Sequence, residues 1–513
     1  MEPSSWKHSL LRNVLVRMFL LGVLLIGVRF AYVVTIAGES CTFGDFCFFS
    51  IPENRNLVTS SSGAAVNRAV RPAGTAAPPS RSDLYTSKDW IKAARFYSSV
   101  FRDLVAQGFL SPKSKSLCIE TPAGQDVFAL KEVGVVNSIG ISKKASRPLV
   151  ISGKPQSLGY GDDTFDFIFS GGGRFDGLSR PLEVASEITR TLKPGGFVVV
   201  HVRANDTYSF NSFIGLFNSC QLLKSHDFDG FDPSFPKIRE IVLKKHSDYS
   251  ILSQSVKNSD GIQANKCSLP EYKQQLVRDA EPLITEEPLK PWITLKKNLQ
   301  NIKYLPTLVD ISFKNRYVYV DVGARSYGSS IGSWFRKQYP KQNKTFEVYA
   351  VEADKAFHEE YKLKKRVTLL PYAAWVKNET LSFEITRDPG QKADAAGRGM
   401  GRIQTAQSSK TFDGEVASIQ GFDFADWLKK SVSEMDYVVM KMDVEGTEFD
   451  LIPKLIENGS ICLIDELFLE CHYNRWQRCC PGERSSKYEK TYGQCLELFE
   501  SLRQRGVLVH QWW

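Results

Sequence analysis

Acidic and histidine side chains follow two apolar segments in the C-terminal part of the chain. Asp443 and Glu445 come after one segment, and Glu470 and His472 come after the next. Carboxylates can orient a hydroxyl group, accept its proton or hold a divalent cation, and histidine suits a general base by its ordinary pKa. We therefore predict a catalytic group that consists of Asp443, Glu445, Glu470 and His472. Two alternatives stay open: Asp443 and Glu445 could hold a cation, and His472 could be a strand-end residue bonded to backbone.

A second set of residues has the order of a ligand-binding turn. Asp321, Gly323 and Ala324 follow one strand-like segment, and Glu352 ends the next one along the chain. Glycine lets the backbone approach a ligand, and a carboxylate at the second strand end can accept hydrogen bonds from both ribose hydroxyls. We predict that Asp321, Gly323 and Ala324 shape the turn beneath the ligand and that Glu352 holds the ribose. The alternatives are a capping role for Asp321 and a solvated strand end for Glu352.

Short apolar runs alternate with helical patterns on either side of residues 248–290, which lack a sustained period. This alternation is typical of α/β folds, in which parallel strands carry helices on both faces. We predict two tandem Rossmann-like domains, residues 86–247 and 291–513, joined by the linker 248–290. In the first domain the pattern predicts helices over 87–107 and 182–192 and strands at 117–119, 165–169 and 196–201. In the second it predicts strands at 316–320, 348–354 and 367–370 and a helical run at 330–338.

The first domain carries the sequence L-K-P-G-G at residues 192–196, between a predicted helix and a valine-rich strand. Residues 116–245 thereby resemble the class I S-adenosylmethionine-dependent methyltransferases of the type 11 group, and the resemblance implies a closing antiparallel strand at 238–243. However, Pro122 stands where that group has a glycine of the cofactor loop, and Ser142 stands where it has the ribose acid. Proline lacks an N–H donor, and serine cannot form the bidentate bonds of a carboxylate. We therefore predict that the first domain is a degenerate copy that binds no cofactor.

Five motifs of the second domain occur in a fixed order. They are V-D-V-G-A at 320–324, V-E-A-D at 351–354, F-A-D-W-L at 424–428, K-M-D-V-E-G-T-E at 441–448 and L-E-C-H at 469–472. This set closely resembles the FkbM methyltransferase family across residues 317–472. The resemblance implies S-adenosylmethionine as the cofactor and O-methylation of a glycan or a small hydroxylated acceptor. The other interpretation is a catalytically inactive, methyltransferase-like scaffold on a membrane of the secretory pathway.

Residues 18–37 are apolar except for Arg29 and a few weakly polar positions. A helix of this length spans a hydrocarbon core of about 30 Å. Basic residues precede the segment and acidic residues follow it, which places the tail 1–17 in the cytosol and the bulk of the chain in the lumen. We predict a type II, single-pass protein of the Golgi or another endomembrane, with 38–85 as a flexible stalk, and this arrangement resembles plant single-pass proteins of the methyltransferase superfamily. A cleaved signal peptide is the alternative.

The 513-residue chain has an ordinary globular composition, with 42% hydrophobic and 24% charged residues. This composition excludes the collagen-like, coiled-coil and polytopic membrane classes. The net charge of +9 is spread along the chain and comes with no nucleic-acid motif. We therefore expect no nucleic-acid partner, and an acidic glycan is a suitable acceptor. Glycines and basic residues between 387 and 414 predict a flexible surface loop, or a lid that attracts such an acceptor.

Four cysteines near the C-terminus are close enough in sequence for local disulfide pairing. They are Cys471, Cys479, Cys480 and Cys495. Spacing alone does not determine their connectivity. The alternative is a zinc site of Cys471, His472, Cys479 and Cys480, although no C-x-x-C pair repeats.

Overall fold

The computed structural model describes residue 85 and residues 87–172, 175–233, 235–247, 271–387, 398–403, 415–477 and 482–512. All of these residues belong to one compact unit of the chain, residues 77–513. The predicted tail 1–17, the predicted membrane segment 18–37 and all but the last residue of the predicted stalk 38–85 lie outside the described residues. Within the described ranges, no helix is long and apolar enough to cross a membrane.

The first domain is built on a seven-stranded sheet. Its strands are β1 (Ser116–Ile119), β2 (Ser138–Ser142), β3 (Val150–Ser152), β4 (Phe165–Ser170), β5 (Leu192–Val202), β6 (Cys220–Asp229) and β7 (Lys237–Lys245). The strand order is β3-β2-β1-β4-β5-β7-β6. The first five strands are parallel, whereas β7 is antiparallel to both of its neighbours. The predicted α/β class is therefore confirmed for this domain, including the closing antiparallel strand that the type 11 resemblance implied.

Four helices accompany this sheet: α1 (Lys88–Ala106), α2 (Gln125–Glu132), α3 (Pro181–Thr191) and α4 (Thr207–Ile214). Helix α1 begins at Ser87, whose hydroxyl accepts a hydrogen bond from Trp90 N and so satisfies a free donor of the first turn. Its apolar stripe, which includes Phe101 and Leu104, is buried in the core beside the sheet. The predicted helices 87–107 and 182–192 are confirmed to within one residue at each end.

The second domain contains a six-stranded sheet in which all strands are parallel. Its strands are β8 (Tyr317–Val322), β9 (Glu347–Val351), β10 (Val367–Leu370), β15 (Tyr437–Met442), β16 (Glu466–Leu469) and β17 (Leu508–Gln511). The strand order is β10-β9-β8-β15-β16-β17. The strand order therefore reverses between β8 and β15. Ligands of open α/β sheets bind at the carboxyl ends of the strands at such a point.

A third, four-stranded sheet is inserted between β10 and β15. It consists of β11 (Ala373–Trp375), β12 (Glu379–Arg387), β13 (Arg398–Ile403) and β14 (Glu415–Asp423), in the order β11-β14-β12-β13. The prediction of a flexible surface loop at 387–414 is wrong for residues 398–403, which pair with β12 as a strand. Gly401 in this strand packs under the Phe383 ring, where an added Cβ would lie 2.2 Å from a ring carbon. The glycines that indicated a loop therefore serve packing, and the rest of the segment lies outside the described residues.

The helices of the second half are short. They are α5 (Glu271–Asp279), α6 (Pro291–Asn298), α7 (Leu305–Leu308), α8 (His358–Lys362), α9 (Phe424–Ser431), α10 (Glu448–Glu457) and α11 (Tyr492–Gln504). The predicted helical run 330–338 is wrong in type, because the segment Ile331–Phe335 forms a π-helical turn. The Ser330 hydroxyl donates to Asp321 on β8, and the Phe335 ring stacks on Tyr319 with centroids 3.8 Å apart. These contacts hold the segment against the sheet in a wide turn, so no long helix begins after the β8 loop.

The two predicted domains are packed against each other through α4. The Tyr208 hydroxyl donates to Asp465 Oδ1 at 3.3 Å, and the rings of Phe213 and Phe313 are 5.2 Å apart. Asp465 also lies 3.2 Å from Lys273 Nζ on α5. Because α5 contacts both α4 and β17, part of the predicted linker 248–290 packs against both domains. The exact domain boundaries stay a prediction.

Candidate active site

The loop after β8 passes very close to the loop after β15. Gly323 has φ +77°, and a Cβ at this position would lie 1.8 Å from the backbone oxygen of Asp443, so the position requires glycine. Gly323 N and Ala324 N both donate to Val351 O, at 3.0 and 3.1 Å. Asp443 N donates to Val322 O at 2.9 Å. These bonds hold the carboxyl ends of β8, β9 and β15 together.

Glu352, at the end of β9, has its carboxylate fixed by two backbone donors. Arg325 N donates to Oε2 and Asp354 N donates to Oε1, both at 2.6 Å. Burial raises the pKa of Glu352 to about 7, and the carboxylates of Asp354 and Asp321 add to this rise. A carboxylate can accept about four hydrogen bonds. Each oxygen of Glu352 therefore keeps room for one further donor, such as a ribose hydroxyl.

These strand ends and the third sheet enclose an open cleft, which we call the strand-end cleft. It contains about 700 Å³ of space, counting its mouth. Its walls include Gly323, Glu352, Asp443 and Glu445 from the strand ends, the rings of Phe357 and Tyr372, and Phe383, Gly401 and Arg402 from the third sheet. The cleft thus combines apolar ring surface with a few fixed polar groups, as small-molecule sites do.

Asp321 and Ala324, which were predicted to shape the turn beneath the ligand, do not line this cleft. Asp321 is fully buried, and it accepts hydrogen bonds from Ser330 Oγ and, at 3.2 Å, from Tyr319 OH. Its other oxygen lies 3.6 Å from Lys441 Nζ. Burial alone would lower the pKa of Lys441, but the nearby carboxylates raise it above its ordinary value. Asp321 therefore supports the turn from inside the protein, as an ion pair with Lys441.

The structure brings together the four residues that were predicted to be catalytic. His472 is 7% exposed. Its Nε2 lies 3.6 Å from Asp443 Oδ1, 3.7 Å from Glu470 Oε1 and 3.9 Å from Glu445 Oε2. They meet because β15 and β16 are parallel neighbours, whose carboxyl ends share one edge of the sheet. We call these four residues the acidic cluster.

The charges of the acidic cluster determine its protonation. Burial would lower the pKa of His472, but the carboxylates of Glu448, Glu445 and Glu470 raise it to about 10. Burial and the Asp443 carboxylate raise the pKa of Glu470 to about 8. Without a cation, His472 is therefore protonated at neutral pH and cannot accept a proton. The predicted role of a general base then falls to the carboxylates.

Two residues that contact the acidic cluster, Lys487 and Tyr488, had no motif to reveal them. Lys487 Nζ lies 2.7 Å from Glu445 Oε2, and Tyr488 OH donates to the same oxygen. Glu445 itself has φ +51°, a backbone conformation that is unusual for a side chain of its kind. Glu448 is fully buried and accepts bonds from Gly446 N at 2.9 Å and from His472 N at 2.6 Å. Contacts between segments so far apart in sequence leave no local signal.

Arg402 forms part of the wall between the third sheet and the acidic cluster. Its Nε lies 2.8 Å from Oε2 of the fully buried Glu384, and its NH1 donates to Lys487 O at 2.6 Å. From the sequence, Arg402 was expected only to be one of the basic residues of the flexible loop or lid at 387–414. Its guanidinium is instead held in place between two segments of the protein.

The corresponding turn of the first domain is organised differently. The Thr121 hydroxyl donates to Asp126 at 2.5 Å and accepts from Gly124 N at 3.2 Å, while Pro122 is exposed. A cleft beside this turn is lined by Glu120, Thr121, Pro122, Asp126, Arg203 and Phe235, among others, but Ser142 at the end of β2 is not in its wall. The carboxylates in this wall are those of Glu120, Asp126 and Asp232, and none of them lies at the end of β2, where the type 11 group has its ribose acid. The absence of a cofactor in the first domain stays a prediction.

Cys471 forms a disulfide with Cys495 of α11, with the sulfur atoms 2.02 Å apart. The alternative of a zinc site that includes Cys471 is therefore wrong. Cys479 and Cys480 lie outside the described residues. The disulfide joins Cys471, which follows β16 and directly precedes His472, to helix α11.

Comparison with known proteins gives a partial match. A domain family of unknown function, DUF7870, matches residues 277–383 and 400–513. No curated protein matches the chain. The similar solved structures include an S-adenosylmethionine-dependent methyltransferase from Methanosarcina mazei, which is 12% identical and covers 28% of this chain and 98% of its own, with a TM-score of 0.23. They also include the 1,6-didemethyltoxoflavin-N1-methyltransferase from Burkholderia thailandensis, which was solved with S-adenosylhomocysteine (13% identity, 34% and 94% coverage, TM-score 0.25).

The [4+2]-cyclase SpnF is similar to the same degree, with 15% identity, coverage of 30% of this chain and 81% of its own, and a TM-score of 0.23. At these scores, the similarity to solved structures carries no argument about the activity of the chain. The function must therefore be argued from the site.

Proposed function

We propose that the chain is an S-adenosylmethionine-dependent methyltransferase that binds its cofactor in the strand-end cleft. The observation that carries the proposal is the Glu352 carboxylate, which is fixed in the same cleft as Asp443 and keeps acceptor capacity for two hydroxyls. The rings of Phe357 and Tyr372 offer surface for a purine. Gly323 brings the backbone of the β8 loop to the cleft wall. The FkbM-like motifs are in line with this assignment.

The acidic cluster supplies the groups that O-methylation requires. When bound, S-adenosylmethionine supplies a sulfonium methyl group, which is transferred without the electron pair of its bond to sulfur. Asp443 is placed to accept the proton of an acceptor hydroxyl, as a general base must. A divalent cation at Asp443 and Glu445 is the alternative way to favour the deprotonated hydroxyl, and it belongs to the same proposal. The acceptor is a glycan or another hydroxylated molecule.

The proposed location is the lumenal side of a Golgi or other secretory-pathway membrane, with residues 18–37 as the anchor. The disulfide between Cys471 and Cys495 supports this location, because disulfides persist in oxidising compartments. Protease protection of the C-terminal part in sealed microsomes is the expected result. Digestion without detergent would contradict it.

The cofactor proposal is tested by titrating the purified chain with S-adenosylhomocysteine in a calorimeter. We expect one molecule per chain and at least a tenfold loss of affinity in Glu352→Ala, since removal of a charged hydrogen-bond partner costs about 1.5–3 kcal/mol. Asp126→Asn is a matched control, because it removes a buried carboxylate from the cleft of the first domain. This variant should bind like the wild type. Circular dichroism verifies that both variants are folded.

Two results would contradict the proposal. Failure of the wild type to bind S-adenosylhomocysteine would favour the non-catalytic scaffold. Binding that survives Glu352→Ala but is lost in Asp126→Asn would move the cofactor to the first domain.

A further inference from the structure

The acidic cluster lies where two clefts meet. A second cleft runs beside the strand-end cleft, and the two share Arg402, Ile403, Glu445 and Thr447 in their walls. Asp443 faces the first cleft, and His472 faces the second. A ligand bound at the cluster would therefore be accessible from both sides. This is the position in which a cofactor and an acceptor could be brought together.

Nε2 of His472 points at the carboxylates of this cluster without forming a hydrogen bond to them. Its side chain is more than nine-tenths buried, yet within the described chain its Nδ1 has no hydrogen-bond partner. The three carboxylate oxygens around Nε2 are 3.6–3.9 Å away, which is too long for hydrogen bonds. A buried imidazole without a hydrogen-bond partner needs an explanation. Ligand atoms that converge without touching one another leave room for an ion between them.

The distances suit one cation. One ligand atom each of Asp443, Glu445 and His472 lie within 4.8 Å of one another. Metal–ligand distances of about 2.0–2.4 Å place such atoms around a common centre. Glu448 lies behind the imidazole, with its Oε1 3.3 Å from Nδ1. A carboxylate at this ring nitrogen is the usual partner that orients a metal-binding histidine.

The charges also suit a divalent cation. Four carboxylates surround the site: Asp443, Glu445, Glu448 and Glu470. Two ammonium groups lie beside them, those of Lys441 and Lys487. Lys441 also pairs with Asp321, so Lys487 is the ammonium group left to the four carboxylates, and the cluster carries an excess of negative charge. A divalent cation would offset this excess.

We propose that Asp443, Glu445 and His472 bind one divalent cation between the two clefts, with Glu448 as the residue that positions His472. A mixed set of one imidazole and two carboxylates suits Mn²⁺, because imidazole prefers transition metals and carboxylates prefer hard cations. Three protein ligands leave about half of an octahedral shell open. The acceptor then belongs to the class that offers two neighbouring oxygens, such as a vicinal diol or a hydroxy acid. This last step rests on the proposed methyltransferase function.

The experiment measures Mn²⁺ binding to the purified full-length chain by electron paramagnetic resonance. We expect one Mn²⁺ per chain, and spin-echo modulation from one imidazole nitrogen. His472→Gln should abolish this nitrogen signal, and Asp443→Asn should weaken binding by more than tenfold. Glu448→Gln should weaken it by about 10–100-fold, as second-layer substitutions do. Asp450→Asn is the matched control, since it removes a nearby carboxylate outside the proposed ligand set.

Binding of S-adenosylhomocysteine is measured on the same samples without metal, which separates this inference from the cofactor proposal and shows that each variant is folded. A chain that binds S-adenosylhomocysteine but takes up no Mn²⁺ below about 1 mM, the weak end of known sites, would overturn the inference. A nitrogen signal that persists in His472→Gln would also overturn it. Water counting by nuclear double resonance should find at least two exchangeable waters on the bound Mn²⁺. Fewer than two would refute the chelated acceptor.

Discussion

The raised pKa of Glu352 predicts that cofactor binding depends on pH in the neutral range. Only the ionised carboxylate can accept hydrogen bonds from both ribose hydroxyls while it also accepts the two backbone bonds. With a pKa of about 7, some nine-tenths of the free protein is ionised at pH 8 and about one-tenth at pH 6. The dissociation constant of S-adenosylhomocysteine should therefore rise about tenfold from pH 8 to pH 6, which equals about 1.4 kcal/mol.

Calorimetric titrations at pH 8, 7 and 6, at constant ionic strength, measure this change. Proton release on binding gives a second measurement of the direction of this pH dependence, because the bound form keeps Glu352 ionised. Binding should release about 0.9 proton per chain at pH 6 and about 0.1 at pH 8, as determined from buffers with different ionisation enthalpies. Glu352→Gln should bind more weakly at pH 8 and show no pH dependence.

A dissociation constant that is the same at pH 8 and pH 6 in the wild type would refute this reasoning. In that case Glu352 is either ionised throughout or does not contact the ligand. A pH dependence that survives in Glu352→Gln would assign the titration to another group. The two outcomes lead to different revisions of the site.

Two further substitutions test the framework of the site by urea unfolding. Gly323→Ala should lower the free energy of unfolding by about 2–4 kcal/mol, because the new Cβ meets a backbone oxygen and φ is positive. Gly328→Ala, with no atom within 4 Å of the new Cβ, should change it by less than about 1 kcal/mol; equal effects would show that the β8 loop adapts. Asp465→Asn should cost about 3–5 kcal/mol, because it leaves the ammonium group of Lys273 buried without its counter-charge. Asp229→Asn, which removes an exposed ion pair, should have no measurable effect, and similar losses in both would contradict the role of Asp465.

The elements that the sequence predicted well are those with strong local patterns. The strand β4 and helix α1 match their apolar runs, because five of the six strand residues and one stripe of the helix are buried. The acidic cluster was also predictable, since parallel neighbouring strands place Asp443 and His472 at one edge of the sheet. In these cases the local sequence and the topology are sufficient.

The errors arose where distant contacts decide the structure. The segment Ile331–Phe335 has helical spacing, but its contacts with β8 hold it as a π-helical turn. The strand β13 is rich in glycine because it packs on Phe383, which cannot be inferred from composition. The protonation of His472 depends on Glu448, whose position is set by backbone bonds across two loops. None of these interactions has a signature within a short window of sequence.

The packing of α4 has a consequence for how this chain can diverge. Tyr208 and Phe213 contact Asp465 and Phe313, which precede β16 and β8, so the first domain supports the amino-terminal edge of the second sheet whether or not its own cleft binds a ligand. Selection can then act on the face of α4 that contacts the second domain, and it need not act on the turn around Pro122. We therefore expect substitutions in this turn to be tolerated, whereas a change of Tyr208 alone would remove a hydrogen-bond donor of Asp465. The fold of the first domain would then be retained for its contacts with the second domain, independently of any ligand of its own.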